Sequence, residues 1–443
     1  MPNSIESLRL TARAIFNEAL QSVDAAEAVR RAVCVNNEVF RVCQSEYELK
    51  NFSAIYSIAI GKAAFPMAKA LTDVLGQRFT KGVISSPKNV MKLDRGWRSF
   101  QGGHPLPNEE SFAAARAARE VFEEANKTDS LVVFLVSGGG SALMELPRDE
   151  RVTLKDFQET SRVLVTCGAK IEEINTIRRR LSAIKGGGLD AMLEPHVERV
   201  TLLISDTNRG DEANIASGPT IYARNEQSEA KRIIDLYDLL PQLSSSVVRA
   251  LNESETKDET RTAQQSPYYV LLDNDIAVEA IAIAAKQRGF TVEKFKDLIE
   301  AEVSEGCVQL VQRLIDLKRS TVGPVCLVSG GEFVCKVRGL GKGGRNSEAA
   351  LRCAIEFSNR ANELKNVSLV ALHAGTDGID GNSPAAGAIA DETTIERAQK
   401  LNMDPDDYLT RSDSYRFFKT LGNAIEIGPT GTNVRDIRIL IAS

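Results

Sequence analysis

The sequence predicts an α/β protein built as two α/β domains with mostly parallel sheets, and three observations carry that expectation. At 443 residues the chain is too long for one ordinary hydrophobic core, so its length favours two domains over one. Apolar, partly β-branched runs of strand length alternate with stretches of helical apolar spacing along the whole chain. Glycine-rich loops follow several strand runs directly, at the edge where α/β sheets bind ligands. The polar stretch Asn252–Gln265 reads as a linker. It separates a Rossmann-like N-terminal domain, 1–255, from a C-terminal α/β domain with glycine-rich loops, 266–443. The strand-end loops of both are expected to face an interdomain cleft holding the active site.

Residues Leu8–Cys43 carry helical spacing, such as Ala14, Ala19 and Val23, before a first strand, Ile55–Ile60, runs into Gly61-Lys62. Ala64, Met67, Leu71, Val74 and Leu75 then mark a helix face, so Lys62 stands where strand becomes helix. Lys81–Ser86 is a second strand. Gly102-Gly103-His104-Pro105-Leu106-Pro107 is a rigid turn, with Asn108 as N-cap of the next helix. Leu131–Val136 is the strongest strand and ends in Ser137-Gly138-Gly139-Gly140-Ser141. Val152–Leu193 is helical, and Gly186-Gly187-Gly188 ends it. Val200–Ile204 is a buried strand closed by Ser205-Asp206.

A fresh βα pattern, and with it the second domain, is expected from Tyr268–Leu272, with Asn274 capping a helix. Val325–Val328 leads to Ser329-Gly330-Gly331-Glu332, a strand-like run Phe333–Arg338, and then Gly339-Leu340-Gly341-Lys342-Gly343-Gly344-Arg345-Asn346. Six glycines fall within these eighteen residues, Ser329–Asn346, and a helix opens directly behind them. Val367–Leu372 precedes His373-Ala374-Gly375-Thr376-Asp377-Gly378-Ile379-Asp380-Gly381, and Ile437–Ile441 is the last strand.

The formal charge of −5, with both signs interspersed, gives no broad basic surface for nucleic acid. No stretch approaches transmembrane length, and Glu6, Arg9, Arg13 and Glu18 interrupt the first twenty residues, unlike a signal peptide. The seven cysteines are scattered without a C-x-x-C pair, which fits reduced thiols in a cytoplasm.

Bare glycine loops at helix N-termini let backbone N–H groups approach an anion, and the positive helix end adds to the attraction. Ser137, Gly138, Gly139, Gly140 and Ser141 in one loop, and Gly341, Lys342, Gly343 and Gly344 in the other, are therefore candidate phosphate-binding residues. Gly339, Gly341 and Gly344 also match G-x-G-x-x-G, but no acid ends a clear second strand about 20 residues on, so polyphosphate is favoured over a dinucleotide. Tight structural turns are the remaining alternative. Ser137 and Ser141 lack the flanking glycines of a hydrolase elbow. His104, His196 and His373 are too dispersed for a metal cluster. Asp206, Asp211, Glu332, Asp377 and Asp380 are loop acids that either cap turns or supply the hard oxygen ligands that Mg²⁺ takes beside phosphates.

Taken together, these motifs resemble the type II glycerate kinases, a family also carrying the older label hydroxypyruvate reductase. The resemblance rests on Ile60-Gly61-Lys62-Ala63-Ala64, Gly103–Pro107, Val136–Leu143, Asn175-Thr176-Ile177-Arg178, Ser182–Gly187 and Ile215–Thr220. In the second half it rests on Ser329–Glu332, Gly343–Asn346, Gly375–Gly381 and Gly428–Asn433. It implies ATP-dependent phosphorylation of D-glycerate, expected at the 2-hydroxyl, with ATP and Mg²⁺; an NAD(P)H-dependent hydroxypyruvate reductase is the alternative. Lys62 and Arg345 match the family's catalytic basic residues, with Lys62, Arg345 and Asn346 expected on the substrate. Asp206, Glu332 and Asp377 are the expected metal ligands. After Asp206 the family usually has an apolar residue and Gly-Asp-Asp, whereas Thr207-Asn208-Arg209-Gly210-Asp211-Glu212 stands here. The expected partners are small molecules, with no nucleic acid and no membrane, and a homodimer is allowed but not required.

Overall fold

A computed structural model describes residues 4–87, 93, 96–223, 227–253, 265–296, 300–361, 363 and 367–443. The chain divides into two compact units, Ala25–Leu272 and Asp273–Ser443, the latter joined by the segment ending at Asp24. Most of the expected linker, 254–264, lies outside the described residues.

In the first unit, β1 (Val33–Asn36), β2 (Val39–Val42) and β3 (Ser45–Glu48) form an antiparallel meander. Helical spacing was expected here. Asn37 and Glu38, both at positive φ, make a two-residue turn that pairs β1 with β2 instead. The main sheet holds β4 (Ala54–Ile60), β5 (Phe79–Ser86), β6 (Trp97–Gln101), β7 (Ser130–Ser137), β8 (Glu198–Ile204) and β9 (Tyr268–Leu272). Its spatial order is β6-β5-β4-β7-β8-β9, parallel throughout. Numbered within the sheet this is 3-2-1-4-5-6, the Rossmann arrangement, and the strand order reverses between β4 and β7. Ile58, Ile60, Val132, Phe134 and Val136 fill the core, with Ala114, Ala118 and Phe122 of helix Glu109–Ala125 packed on them. A separate helical core, including Phe157, Ile177, Ile233 and Val247, is built from the long connections after β7 and β8.

Tyr268–Leu272, expected to open the second domain, is the edge strand of this first sheet. Its ladder with β8 is parallel, and the Ser205 N–H donates to the Leu272 carbonyl at 2.8 Å.

The second unit holds β10 (Thr291–Lys294), β11 (Val325–Gly331), β12 (Leu369–Gly375), β13 (Gly387–Asp391), β14 (Ala424–Ile425) and β15 (Asp436–Ala442), in the order β10-β11-β15-β12-β13-β14. The expectation of a mostly parallel sheet is corrected here: only β10 and β11 pair in parallel. β11 and β12 do point the same way, but the C-terminal strand returns between them and is antiparallel to both. Phe333–Arg338 is also not a strand, because its single ladder contact is the bridge of Val334 to Glu302.

Helix Ile5–Ser22 belongs to this second unit. Arg9 forms an ion pair with the fully buried Asp391 and Arg13 donates to the Ala424 carbonyl, while Glu18 pairs with Arg288. No described helix is long and apolar enough to cross a membrane. All seven cysteines are free thiols.

Candidate active site

In the first unit the site forms at the β4/β7 switch point. β4 delivers Gly61 at φ +121, where any Cβ would overlap Ser137 Oγ, so only glycine lets the two strand ends approach this closely. The Lys62 N–H donates to the Gly138 carbonyl at 3.1 Å and the Ala63 N–H to Ser137 Oγ at 3.0 Å. Ser137 thus ties Lys62 to the glycine loop. Gly139 is left-handed, at φ +79, and a Cβ there would lie 3.3 Å from both Lys62 Cε and His104 Nε2. Gly140 opens a short helix to Leu143, and the leading N–H groups of a helix have no acceptor within it.

A polar chain absent from the sequence reading holds this loop from behind. Ser141 Oγ is 2.7 Å from Ser217 Oγ, Ser217 Oγ donates to Asn175 Oδ1 at 3.0 Å, and Asn175 Nδ2 donates to Asn214 Oδ1 at 3.1 Å. Ala216, Ser217 and Gly218 all have positive φ, and Gly186 and Gly187 donate to the carbonyls of Ser217 and Gly218. Two strained non-glycine residues persist here because this network fixes them. Four residues beyond Ser141, the buried carboxylate of Glu145 is ion-paired with Lys185 and accepts from Ser182. Burial pushes the Lys185 pKa down, partly offset by Glu145. The motifs Asn175–Arg178, Ser182–Gly187 and Ile215–Thr220 carried Asn175, Ser182, Lys185 and Ser217, but no local signal showed that they fold back onto the Ser137–Ser141 loop.

Asp206 follows the end of β8, one strand beyond the loop, and is half-buried. Glu212 accepts from the Gly210 N–H at 2.9 Å and closes its own turn.

The second unit assembles a different cluster, around the start of β15. Arg345 is the first residue of helix Arg345–Asn359. Its guanidinium bridges Asp436, through Nε and through Nη2 at 3.2 Å, and Glu332 at 2.9 Å. Asp436 is buried because it pairs with Gly331 at the end of β11 and with Gly375 at the end of β12. Burial alone would lower the arginine's pKa, but Asp436, Glu332 and Asp380 outweigh it and raise it. Arg345 is therefore a fixed cation. Asp377 closes a turn by accepting from the Ile379 N–H at 3.0 Å, and its Oδ1 lies beside Gly375, as does Asp436 Oδ1.

Asp380 caps the helix, accepting from the N–H groups of Asn346 (2.9 Å) and Ser347 (2.8 Å) and from Ser347 Oγ (2.6 Å). Burial pushes its pKa up to about 6 against those donors, and Asp436 adds to the rise. Arg438, missed in the sequence, lies fully buried on β15. It stacks 3.5 Å from the Phe333 ring centroid and donates to Ser329 Oγ and to the Gly330 carbonyl.

The glycine loop Gly339–Gly344 departs from the expected anion nest. The N–H of Gly341 donates to the Arg411 carbonyl, that of Lys342 to Asp413 Oδ1, that of Gly343 to Asn382 Oδ1 and that of Gly344 to Ser347 Oγ. These four consecutive donors are engaged by the protein. A Cβ at Gly341 would lie 2.5 Å from the Arg411 carbonyl, and one at Gly344 would overlap Asp380 and lie 2.5 Å from the Gly381 nitrogen. These glycines serve close packing. Lys342 keeps its exposed side chain, and Asn346 is buried.

Among the described residues, no three His, Cys, Asp or Glu side chains group to hold a metal ion. Mg²⁺ beside phosphates needs only one or two carboxylates, however, and the half-buried Asp206 at a strand end fits that use. Glu332 is already drawn to Arg345 and Asp377 to its own turn.

A family model described as a domain of unknown function (DUF4147) matches residues 11–252, and the model described as the MOFRL family matches 325–436. A glycerate 2-kinase of Pyrococcus horikoshii is 34% identical, over 97% of this chain and 96% of the relative. The chain belongs to the type II glycerate kinase family. A D-glycerate 2-kinase of Thermotoga maritima is 36% identical over 88% of this chain and 91% of its own length. The crystal structure of a glycerate kinase from Thermotoga maritima superposes with a TM-score of 0.80 at 31% identity, covering 99% of this chain and 100% of that one. One further member, from Agrobacterium vitis and 33% identical over 98% of this chain, carries a hydroxypyruvate reductase name.

Proposed function

We propose that this protein transfers the γ-phosphoryl group of ATP to the 2-hydroxyl of D-glycerate, giving 2-phosphoglycerate and ADP. The observation that carries this reading is Lys62 tied to a glycine loop at the switch point of a parallel sheet, in a chain of this family. Phosphoryl transfer asks the protein for positioning and for charge opposite the equatorial oxygens. Lys62 supplies one charge, and Arg345, held between Asp436 and Glu332, supplies a second that cannot rotate away.

The Ser137–Ser141 loop receives the phosphates on the leading N–H groups of the helix that starts at Gly140, and Lys342 adds only a side-chain charge. Asp206 is the residue we assign to Mg²⁺, which would supply positive charge against that of the phosphates. The free thiols fit a reducing cytoplasm.

The test is direct. The pure protein should release ADP only when D-glycerate, ATP and Mg²⁺ are all present, and NMR of the product should place phosphorus on the 2-oxygen. Oxidation of NADH or NADPH with hydroxypyruvate, without ADP release, would instead support the reductase reading.

A further inference from the structure

We infer that His104 is the proton acceptor of the reaction, taking the proton from the attacking hydroxyl of glycerate; this rests on the kinase reading above. The chain has three histidines, and their placement separates them. His373 is fully buried within β12, and His196 precedes β8, at the opposite edge of its sheet from Lys62. His104 alone follows a strand, β6, on the edge that carries Lys62 and the Ser137–Ser141 loop.

Its ring is exposed, so it does not fill a core. Nε2 and the Lys62 side chain both flank Gly139, for a methyl group on that residue would lie 3.3 Å from Nε2 and 3.3 Å from Lys62 Cε. A reacting oxygen held over Gly139, against this pair of side chains, would have both groups as neighbours.

The turn bearing His104 is fixed by its flanks. The N–H groups of Gly103 and Asn108 donate to Ser111 Oγ at 2.9 and 3.1 Å, and the Asn108 side chain caps helix Glu109–Ala125 by accepting from the Ser111 N–H at 2.9 Å. Gly102 packs so closely on Leu143, at the end of the short helix behind the glycine loop, that a Cβ would overlap its carbonyl. A base anchored to that same helix keeps its distance to the loop.

In the step, the glycerate oxygen forms a bond to the γ-phosphorus as the bond from that phosphorus to the β–γ bridging oxygen breaks. The electron pair of the broken bond leaves with ADP, and the hydroxyl proton passes to Nε2, the imidazole carrying its own hydrogen on Nδ1. Lys62 stays charged throughout and answers the phosphoryl oxygens.

His104→Ala and His104→Gln should each lower kcat by about a hundredfold, as loss of a positioned base does, with KM for ATP and D-glycerate within about twofold of wild type. Added imidazole should restore part of the His104→Ala rate in a saturable manner. A merely structural histidine would not respond to imidazole. Either variant within about threefold of wild-type kcat, or a raised KM at unchanged kcat, overturns the assignment; melting curves matching wild type exclude misfolding as the cause of a low rate. Wild-type turnover of D-glycerate in the same assay separates the two readings. Its absence overturns the kinase and the base together, while its presence beside unimpaired variants overturns the base alone.

Discussion

β7 ends at Ser137 and runs through Gly138-Gly139 into a loop beside Lys62, while β11 itself ends in Ser329-Gly330-Gly331 and leads toward a loop beside Arg345. The two regions use their backbone donors in opposite ways. β7 lies between β4 and β8, both parallel to it, so three carboxyl ends and the helix start at Gly140 gather on one edge. The leading N–H groups of that helix lie there. β11 lies beside β15, which begins where β11 ends and brings Asp436 to that edge. A carboxylate then draws Arg345 in, and Gly341–Gly344 turn their N–H groups to Arg411, Asp413, Asn382 and Ser347. Glycine density permits close approach, but the direction of the neighbouring strand decides what approaches.

Both edges are assigned a cation for the same transfer, so the largest effects should come from removing either one. Lys62→Ala and Arg345→Ala should each lower kcat by about a hundredfold or more, the cost of losing one contact to developing charge. Arg345→Lys should fail nearly as badly, since an ammonium cannot bridge Asp436 and Glu332 as a planar guanidinium does. Normal kcat in Arg345→Ala would make the second edge a structural cluster.

Glycine substitutions sharpen the contrast at lower cost. Gly344→Ala forces a methyl into Asp380 and the Gly381 backbone and should destabilise by about 1–3 kcal/mol, with nucleotide affinity little changed in the protein that remains folded. Gly139→Ala meets only side chains at 3.3 Å and carries about 1–2 kcal/mol of left-handed strain, but it presses on Lys62 and His104. It should raise KM for ATP more than it lowers Tm. Thermal melts and steady-state kinetics on the pair would break the comparison if the two behaved alike.

How much of this was legible follows from where the signals are local. Strands such as Leu131–Val136 and Val325–Val328 announce themselves, and so does Lys62 behind Gly61. Strand order does not, because β15 is inserted between β11 and β12 by contacts more than sixty residues away in sequence. For the same reason the Gly341–Gly344 run looked like a nest, since Asp413 and Asn382 consume its donors from distant loops. Helix Ile5–Ser22 joins the far unit through Arg9, Arg13 and Glu18, which in sequence read only as charges on a helix. Asp380 was visible as one of five loop acids, but its capping role needed the helix start to be placed beside it.

A smaller effect is expected at Asp206. If the first edge holds the phosphates, Asp206→Asn should raise the Mg²⁺ concentration needed for half-maximal activity several-fold, while D-glycerate KM and melting stay near wild type. Glu332→Gln offers the second edge the same test. A larger Mg²⁺ shift there than at Asp206 would move the metal, and with it the phosphates, across the comparison.

The smallest effect concerns pH and the charge stored at the second edge. Burial holds the His373 pKa down at about 3, with Arg438 adding to the depression, while burial lifts Asp380 to about 6. Unfolded values are about 6.5 and 3.9. For His373 the unfolded chain binds the proton first, so its contribution to stability is present above about pH 6.5 and is lost as pH falls toward 3. For Asp380 the folded chain holds the proton longer, so its contribution is present below about pH 4 and is lost as pH rises through 6. Between about pH 4 and 6 the two oppose each other. Asp380→Asn should therefore steepen the loss of Tm on acidification across that window, by a few degrees, beside a uniform loss from the weakened cap. His373→Asn should flatten or reverse it. Parallel Tm–pH curves for wild type and both variants would mean that these buried groups do not titrate with folding, and that the second edge is neutralised by its ion pairs alone.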